Sequence, residues 1–422
     1  MDLKKISVDK LFGLLNYTII LENSDTIIIT GPNGYGKTML LKIIDNILKH
    51  NIDFFFSLHF TQITLEFNNS KIKLDKQKNK SISVTITNQY NNKSHKLFIP
   101  NKKRKDTANF LDDFYVDHLN YDEHEKKLLL AKIAYDELLH HERINKFKCI
   151  NDKQSQNQFL VEGIPQSNVT FIKAQRIENI KTDKPAIEEQ ALYLLDLIKK
   201  ASELSAQISQ RLDSTFPTRL FESIDDNISI SSINDRLIGI QKKRETYMNF
   251  GLIKSEDTFI PERFSDTILG KEYSTVLHLY ISDALEKLSP YEELFDKINL
   301  FVSLLNEKML AFKKIKISDE LGFYFSSDAG ERISLTDLSS GEQNQIVIYF
   351  DLIFKSKSNS IIMIDEPEIS LHVAWQKEFL DSIARIQKLN SFSKVIIATH
   401  SPQIINNNWD ITYDLFENNI GN

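Results

Sequence analysis

Residues Gly31-Pro32-Asn33-Gly34-Tyr35-Gly36-Lys37-Thr38 constrain this chain more than any other stretch of it. They fit G-x-x-x-x-G-K-[ST], and the flanking patterns put them between a short apolar strand, Thr26–Thr30, and an amphipathic helix from Lys37 to Leu48. In that context the glycines let backbone N–H groups curl around phosphate oxygens at a helix N-terminus. Lys37 reaches the outer phosphates, and the Thr38 hydroxyl suits Mg²⁺. The competing reading is a chance glycine-rich turn. It loses because all four fixed positions are filled and both flanking elements are present.

Composition sets the outer bounds. The chain has 422 residues and is 41% apolar, enough for a sizeable core. A formal net charge of −6 offers no general attraction to phosphate backbones, so any DNA contact has to come from a local patch. Two such patches are Lys102–Lys105 and Lys242-Lys243-Arg244; both are short and read first as solvated surface. The single cysteine, Cys149, excludes an internal disulfide and a thiolate metal cage. No apolar run approaches the roughly 18 residues of a membrane span, and the first residues lack the pattern of a signal peptide. A cytoplasmic protein without membrane contact is expected.

Along the chain, Lys4–Val8, Tyr17–Leu21 and Thr26–Thr30 alternate as strands. Alternation returns between Phe54 and Ile99, with asparagine turns at Asn68–Asn69 and Asn91–Asn92, which predicts antiparallel hairpins. Apolar residues recur at helical spacing over Asp106–His141, Pro185–Leu212 and Tyr273–Phe312, the last broken at Pro290. Clean heptads are not sustained, so packed helices are expected rather than a long coiled-coil arm. Strands at Ile315–Ile317 and Phe323–Phe325 precede a helix over Gln343–Phe354. Then follow a buried strand at Ser360–Ile364, a helix at Val373–Gln387 and a buried strand at Val395–Ala398, an order that implies a parallel sheet.

Two further motifs carry chemistry. Ile361-Ile-Met-Ile364 is a buried strand ending in Asp365 and Glu366, which would deliver Asp365 to a metal and place Glu366 to polarise the water that attacks a γ-phosphate. Leu338-Ser339-Ser340-Gly341-Glu342-Gln343 makes a second anion site at a helix N-terminus. One active site has no use for two. The plainer reading is a capped helix start, with Ser339 or Ser340 as the cap and Glu342 or Gln343 in the first turn.

With these three motifs in this order, the chain resembles the ABC-type ATPases, in which the signature of one subunit closes over the ATP held by the phosphate loop of another. The resemblance implies ATP and Mg²⁺ as ligands and an α/β head, with a mixed β lobe and a parallel-sheet lobe, split by a helical insertion. It places Ser339, Ser340, Gly341 and Glu342 on the nucleotide of a second copy. Pro367-Glu-Ile-Ser-Leu-His372 is similar to the family's seam-crossing loop, with His372 where transporters carry Asp. Ala398-Thr-His400-Ser is similar to its switch histidine, so Glu366 and His400 would be the catalytic pair; a satisfied core histidine is the alternative. The metal-sensing glutamine would be Gln175, in Val169-Thr-Phe-Ile-Lys-Ala-Gln-Arg176, against a solvated strand end as the alternative. Adenine would stack on Phe12 or Tyr17.

About 300 residues separate Thr38 from Leu338, which sets the chain apart from the transporter subunits. Phe216-Pro-Thr-Arg-Leu and Asp365-Glu-Pro-Glu-Ile-Ser-Leu-His372 resemble the RecF, SMC-like and overcoming-lysogenisation (OLD) branch, and within it the standalone defence ATPases of the PARIS (AriA) and Septu or retron (PtuA) type. The expected organisation is 1–105 as the first half of the head, 106–312 as the insertion and 313–422 as the second half. About 20 residues follow His400, so no nuclease unit is expected in the chain itself. The implied partners are a second copy joined head to head through ATP, a separate Toprim or HNH effector nuclease, and a phage trigger protein. A DNA clamp of the RecF type is the alternative.

Overall fold

The computed structural model describes residues 2–77, 81–90, 93–100, 168–173, 185–222, 230–254, 271–308, 310, 312–369 and 371–417. Asn91–Asn92, Lys102–Lys105, the 106–141 helical pattern, Cys149 and Gln175 lie outside them. The residues group into two compact units: the described parts of Met1–Lys173, Lys357–Pro367 and Ser391–Asn422 in one, and those of Ala174–Ser356 and Glu368–Asn390 in the other. Among the described residues no helix is long and apolar enough to cross a membrane.

The first unit opens with β1 (Leu3–Leu11), β2 (Leu15–Ile20) and β3 (Thr26–Thr30), followed by α1 (Lys37–Leu48) and a short helix, α2 (Asp53–Ser57), that the sequence pattern does not predict. Then come β4 (Gln62–Phe67), β5 (Ser70–Lys76), β6 (Ile82–Asn88), β7 (Ser94–Ile99) and β8 (Val169–Ile172). Strands β2-β1-β4-β5-β6-β7 form an antiparallel sheet in that order. Alternation gives it one apolar face, as at Ile63, Leu65 and Phe67, or Ile82, Val84 and Ile86, while the small polar Thr64 and Ser83 are buried on the other. Helix α2 is held by Lys76, whose Nζ donates to the carbonyls of Phe55 (3.2 Å) and Phe56 (3.0 Å) and to that of Leu58.

The second half of the chain returns to this unit. Strands β12 (Ile361–Asp365), β13 (Lys394–Ala398) and β14 (Thr412–Asp414) join β3 and β8 in a five-stranded sheet of order β14-β3-β13-β12-β8. Every pair in it is parallel. All residues of β12 and β13 are buried, the mark of a strand covered on both faces, and their continuous apolar runs are what such positions demand. A charge enters that core at Lys394, 3% exposed, which donates from Nζ to the carbonyls of Leu21 (2.8 Å) and Ser24 (2.7 Å), tying β13 to the turn before β3.

The second unit contains α3 (Ala186–Glu222), α4 (Ile230–Asn249), α5 (Lys271–Leu288) and α6 (Glu292–Lys308), then the small sheet β9 (Lys313–Ser318), β10 (Gly322–Ser327) and β11 (Arg332–Ile333). Helices α7 (Ser340–Phe350) and α8 (Val373–Asn390) complete it. Three expectations need correcting. Helix α7 starts at Ser340, three residues earlier than the pattern suggests, and gives way to a π turn over Asp351–Lys355. Helix α4 was not anticipated, because its apolar positions are sparse. Helix α3 runs 37 residues, about 55 Å at 1.5 Å per residue, straight through Pro217.

Proline removes the helical hydrogen bond to the carbonyl four residues back, that of Asp213, and side chains bind two carbonyls of the turn before it. Arg219 donates to Leu212 O at 2.8 Å and Thr215 Oγ1 to Arg211 O at 3.0 Å. The same guanidinium forks onto the buried Asp283 of α5 at 2.5 and 2.9 Å. Gly322 is compulsory: a Cβ there would sit 1.9 Å from the Ala191 carbonyl oxygen of α3, and φ is +75°. The core of the unit is aromatic. Phe301 packs edge-on against Phe323, Phe350 and Phe354 at centroid distances of 5.9, 5.6 and 5.6 Å.

The two tryptophans fall in different units, Trp375 on α8 in the second and Trp409 in the first. In a Trp409→Phe background, Phe301→Ala is expected to lower the stability reported by Trp375 fluorescence in urea by about 3–5 kcal/mol.

Candidate functional site

Three adjacent parallel strands, β3, β13 and β12, end at one edge of their sheet, where α/β sheets bind ligands. Their register aligns Ile29 with Ala398 and Ala398 with Asp365. The segments that follow are therefore neighbours: the loop Gly31–Thr38 after β3, His400 after β13, and Asp365–Glu366 at the end of β12. Sequence positions 327 residues apart meet here, with Thr38 Oγ1 donating to Asp365 Oδ1 at 3.0 Å.

The loop has the conformation its glycines imply. Gly31, Gly34 and Gly36 have φ of +143°, +89° and +84°. Gly36 is the N-cap of α1 and offers no side-chain cap, so the first N–H groups of that helix are left to a ligand. Pro32, Asn33 and Gly34 are exposed at the rim. Lys37 is 5% exposed and curls over the loop, its Nζ donating to Gly31 O at 2.8 Å and, more weakly, to Pro32 O at 3.4 Å. This arrangement of oriented N–H donors and one enclosed ammonium fits phosphate oxygens.

Of the two rings expected at the base, one supports the loop instead, and Leu415 and Phe416, which sequence reasoning passed over, pack against it as well. Tyr17 is 2% exposed and its hydroxyl donates to Tyr35 O at 2.7 Å; it is a strut beneath the loop and has no face open to a base. Phe12, 44% exposed, lies beside Gly36 with part of its ring open. From the far side, Phe416 meets Tyr35 edge-on at 5.6 Å, and Leu415 lies 3.2 Å from where a Cβ on Gly31 would stand.

Asp365 is 7% exposed. Burial pushes its carboxyl above the ordinary value; the Thr38 hydrogen bond lowers it, Glu366 raises it, and Lys42 and Lys37 offset the shift only in part. A hydroxyl and a carboxylate as hard oxygen donors fit Mg²⁺. Glu366 sits at φ +45°, a region a non-glycine residue enters at a cost of about 1–3 kcal/mol. It is locked there by its own N–H donating to Ala398 O at 2.8 Å, and its Oε1 lies 4.0 Å from His400 Nδ1. His400 is half exposed, which removes the core-histidine alternative.

The segment Leu338–Gln343 belongs to the second unit. Ser339 is the N-cap of α7 and forms a full capping box with Glu342, so the plain reading of a capped helix start is realised. Glu342 Oε2 accepts from Ser339 N (2.8 Å) and Ser339 Oγ (2.9 Å). Burial would raise this carboxyl, but hydrogen bonds from Lys313 and Ser339 outweigh it and hold it below the usual value. Ser339 and Ser340 stay exposed, Gly341 half-buried. His372 is exposed and heads α8, its Nδ1 accepting from Ala374 N at 3.3 Å. Gln175 follows β8, but lies outside the described residues.

A parallel sheet with a glycine loop, a buried acidic strand end and a histidine at one edge defines the P-loop class of nucleotide-binding proteins. The chain belongs to the AAA ATPase domain family, whose profile matches residues 1–405. It is similar to Endonuclease GajA of Bacillus cereus (strain HuB5-5), 26% identical over 409 residues that cover 90% of this chain and 52% of the endonuclease. It thus spans about half the length of the curated relative it matches. Among solved structures it is similar to the SMC head domain from Thermotoga maritima, at 11% identity and a TM-score of 0.35, covering 98% of this chain and 94% of that one. An SMC head bound to the C-terminal winged-helix domain of ScpA gives 9% and 0.36, covering 96% and 91%. The fold itself stands on the strand orders given above.

Gly31→Ala is expected to weaken binding of a fluorescent ATP analogue at least about tenfold, with the circular dichroism unchanged, because Leu415 and the positive φ both resist a Cβ.

Proposed function

We propose that the chain is an ATP-binding and slowly hydrolysing head that joins a second copy through ATP and regulates a nuclease supplied by a separate protein, in the setting of anti-phage defence. The observation that carries the nucleotide part is the single edge presenting Lys37, the Thr38–Asp365 pair at 3.0 Å, Glu366 and His400. Similarity to an endonuclease supports the nuclease connection, and the resemblance to standalone defence ATPases supports the setting.

On this reading the loop N–H groups and Lys37 bind the phosphates, and Phe12 stacks on the base. Thr38 and Asp365 hold Mg²⁺, which would supply charge neutralisation to the phosphates. Glu366 orients and deprotonates the attacking water. His400, beside it at the same edge, contacts the γ-phosphate and ties water activation to nucleotide state. Ser339, Ser340 and Gly341, at the capped but exposed start of α7, meet the nucleotide of the second copy. Gln175 is assigned as the residue that senses the metal. Two heads joined in this way would open and close with ATP turnover, a two-state element through which a nuclease can be restrained or released.

Glu366→Gln is expected to cut ATP turnover by roughly 10²–10⁴-fold while leaving nucleotide affinity within about threefold, and to accumulate an ATP-dependent dimer measurable by sedimentation. Affinity purification of that variant with the products of neighbouring genes tests the partner. A stoichiometric nuclease supports the reading. A protein that comes down alone and grips DNA only with ATP replaces it with a clamp.

A further inference from the structure

Glu342 presents a difficulty for any anion at this helix start. Its carboxylate is 6% exposed and its Oε2 lies 2.9 Å from the Ser339 hydroxyl, so a full negative charge stands behind the N-terminus of α7. An unpaired carboxylate there would cancel the positive pole of the helix and repel an arriving phosphate. Lys313, the first residue of β9, answers that charge: its Nζ is 3.0 Å from both Glu342 Oε1 and Oε2. The next residue, Lys314, faces outward, 4.0 Å from Asp328. The alternation of the strand thus turns one of two consecutive lysines inward to the carboxylate.

We propose that Lys313 is a positioning residue of the composite ATP site: by neutralising Glu342 it lets the capped start of α7, Ser339–Ser340–Gly341, receive the triphosphate held by a second copy of this chain. The inference rests on the reading that this segment meets the second copy's nucleotide. Lys313 acts through Glu342 and Ser339, and its work is twofold. It holds the carboxylate that clamps Ser339 N and Oγ, and it removes the charge that would oppose the phosphate. With only a quarter of the lysine side chain and less than a tenth of the carboxylate exposed, the pair is shielded from salt.

The test measures, in the Glu366→Gln parent, the ATP concentration at half-maximal dimer by sedimentation, alongside protomer affinity for a fluorescent ATP analogue. Lys313→Met is expected to raise the ATP requirement at least about tenfold while analogue affinity stays within about twofold. Lys313→Arg keeps the charge, and the double variant Lys313→Met/Glu342→Gln removes both charges; each is expected to recover to within about threefold of the parent. Lys313→Met dimerising at the parent's ATP concentration overturns the inference. So does a double variant as impaired as Lys313→Met, since that would mark the lysine as a plain structural support; if Lys313→Met alone does not fold, Lys313→Arg or the double variant needing at least about tenfold more ATP than the parent overturns the inference. A parent that stays monomeric with ATP overturns the underlying reading, and the inference falls with it.

Discussion

The hydrogen bond between Thr38 and Asp365 depends on a register, and the register depends on burial. Thr26–Thr30, Lys394–Ala398 and Ile361–Asp365 lie side by side because each is too apolar to stand on a sheet face open to water. A slip of one residue would turn every side chain of a strand to the opposite face. With the alignment Ile29–Ala398–Asp365 fixed, the loop, the acidic pair and His400 have only one edge at which to emerge. The chemistry of the site is therefore set by a core that itself supplies only Asp365, at the end of the buried strand β12.

Much of this was legible in local sequence. The loop 31–38, the strand end at Asp365–Glu366, the serine-capped helix start and the hairpins of the antiparallel sheet are each written in a few consecutive residues whose side chains report their own surroundings. What was not legible depends on partners brought from elsewhere. Nothing near Tyr17 says that its hydroxyl will find the Tyr35 carbonyl, and nothing near Arg219 says that its guanidinium will reach both the Leu212 carbonyl and Asp283. The pairing of β1 with β4, across two intervening strands, a loop and two helices, is likewise a matter of which apolar faces meet. Helix α4 escaped because its buried face is narrow, and only packing defines it.

Lysine recurs as the fastener of this molecule, in three different ways. Lys76 gathers the carbonyls at the end of a short helix, Lys394 satisfies two carbonyls deep under the parallel sheet, and Lys313 neutralises a carboxylate. Each sends its charge to oxygens in buried or partly buried surroundings, while its apolar stem packs on the way. In a chain of net charge −6, 52 lysines and arginines are not simply a solubilising coat. Some of them are internal ties.

The left-handed backbone at Glu366 has a consequence for anyone engineering this protein. Stabilising libraries would favour glycine or asparagine at such a dihedral, because either relieves the local conformational cost. The glutamate carboxylate at that position is the group assigned to activate water. Selection for heat resistance alone would thus be pulled toward erasing turnover at this one site, and a thermostable variant of this head should be screened for activity before its melting temperature is taken as progress.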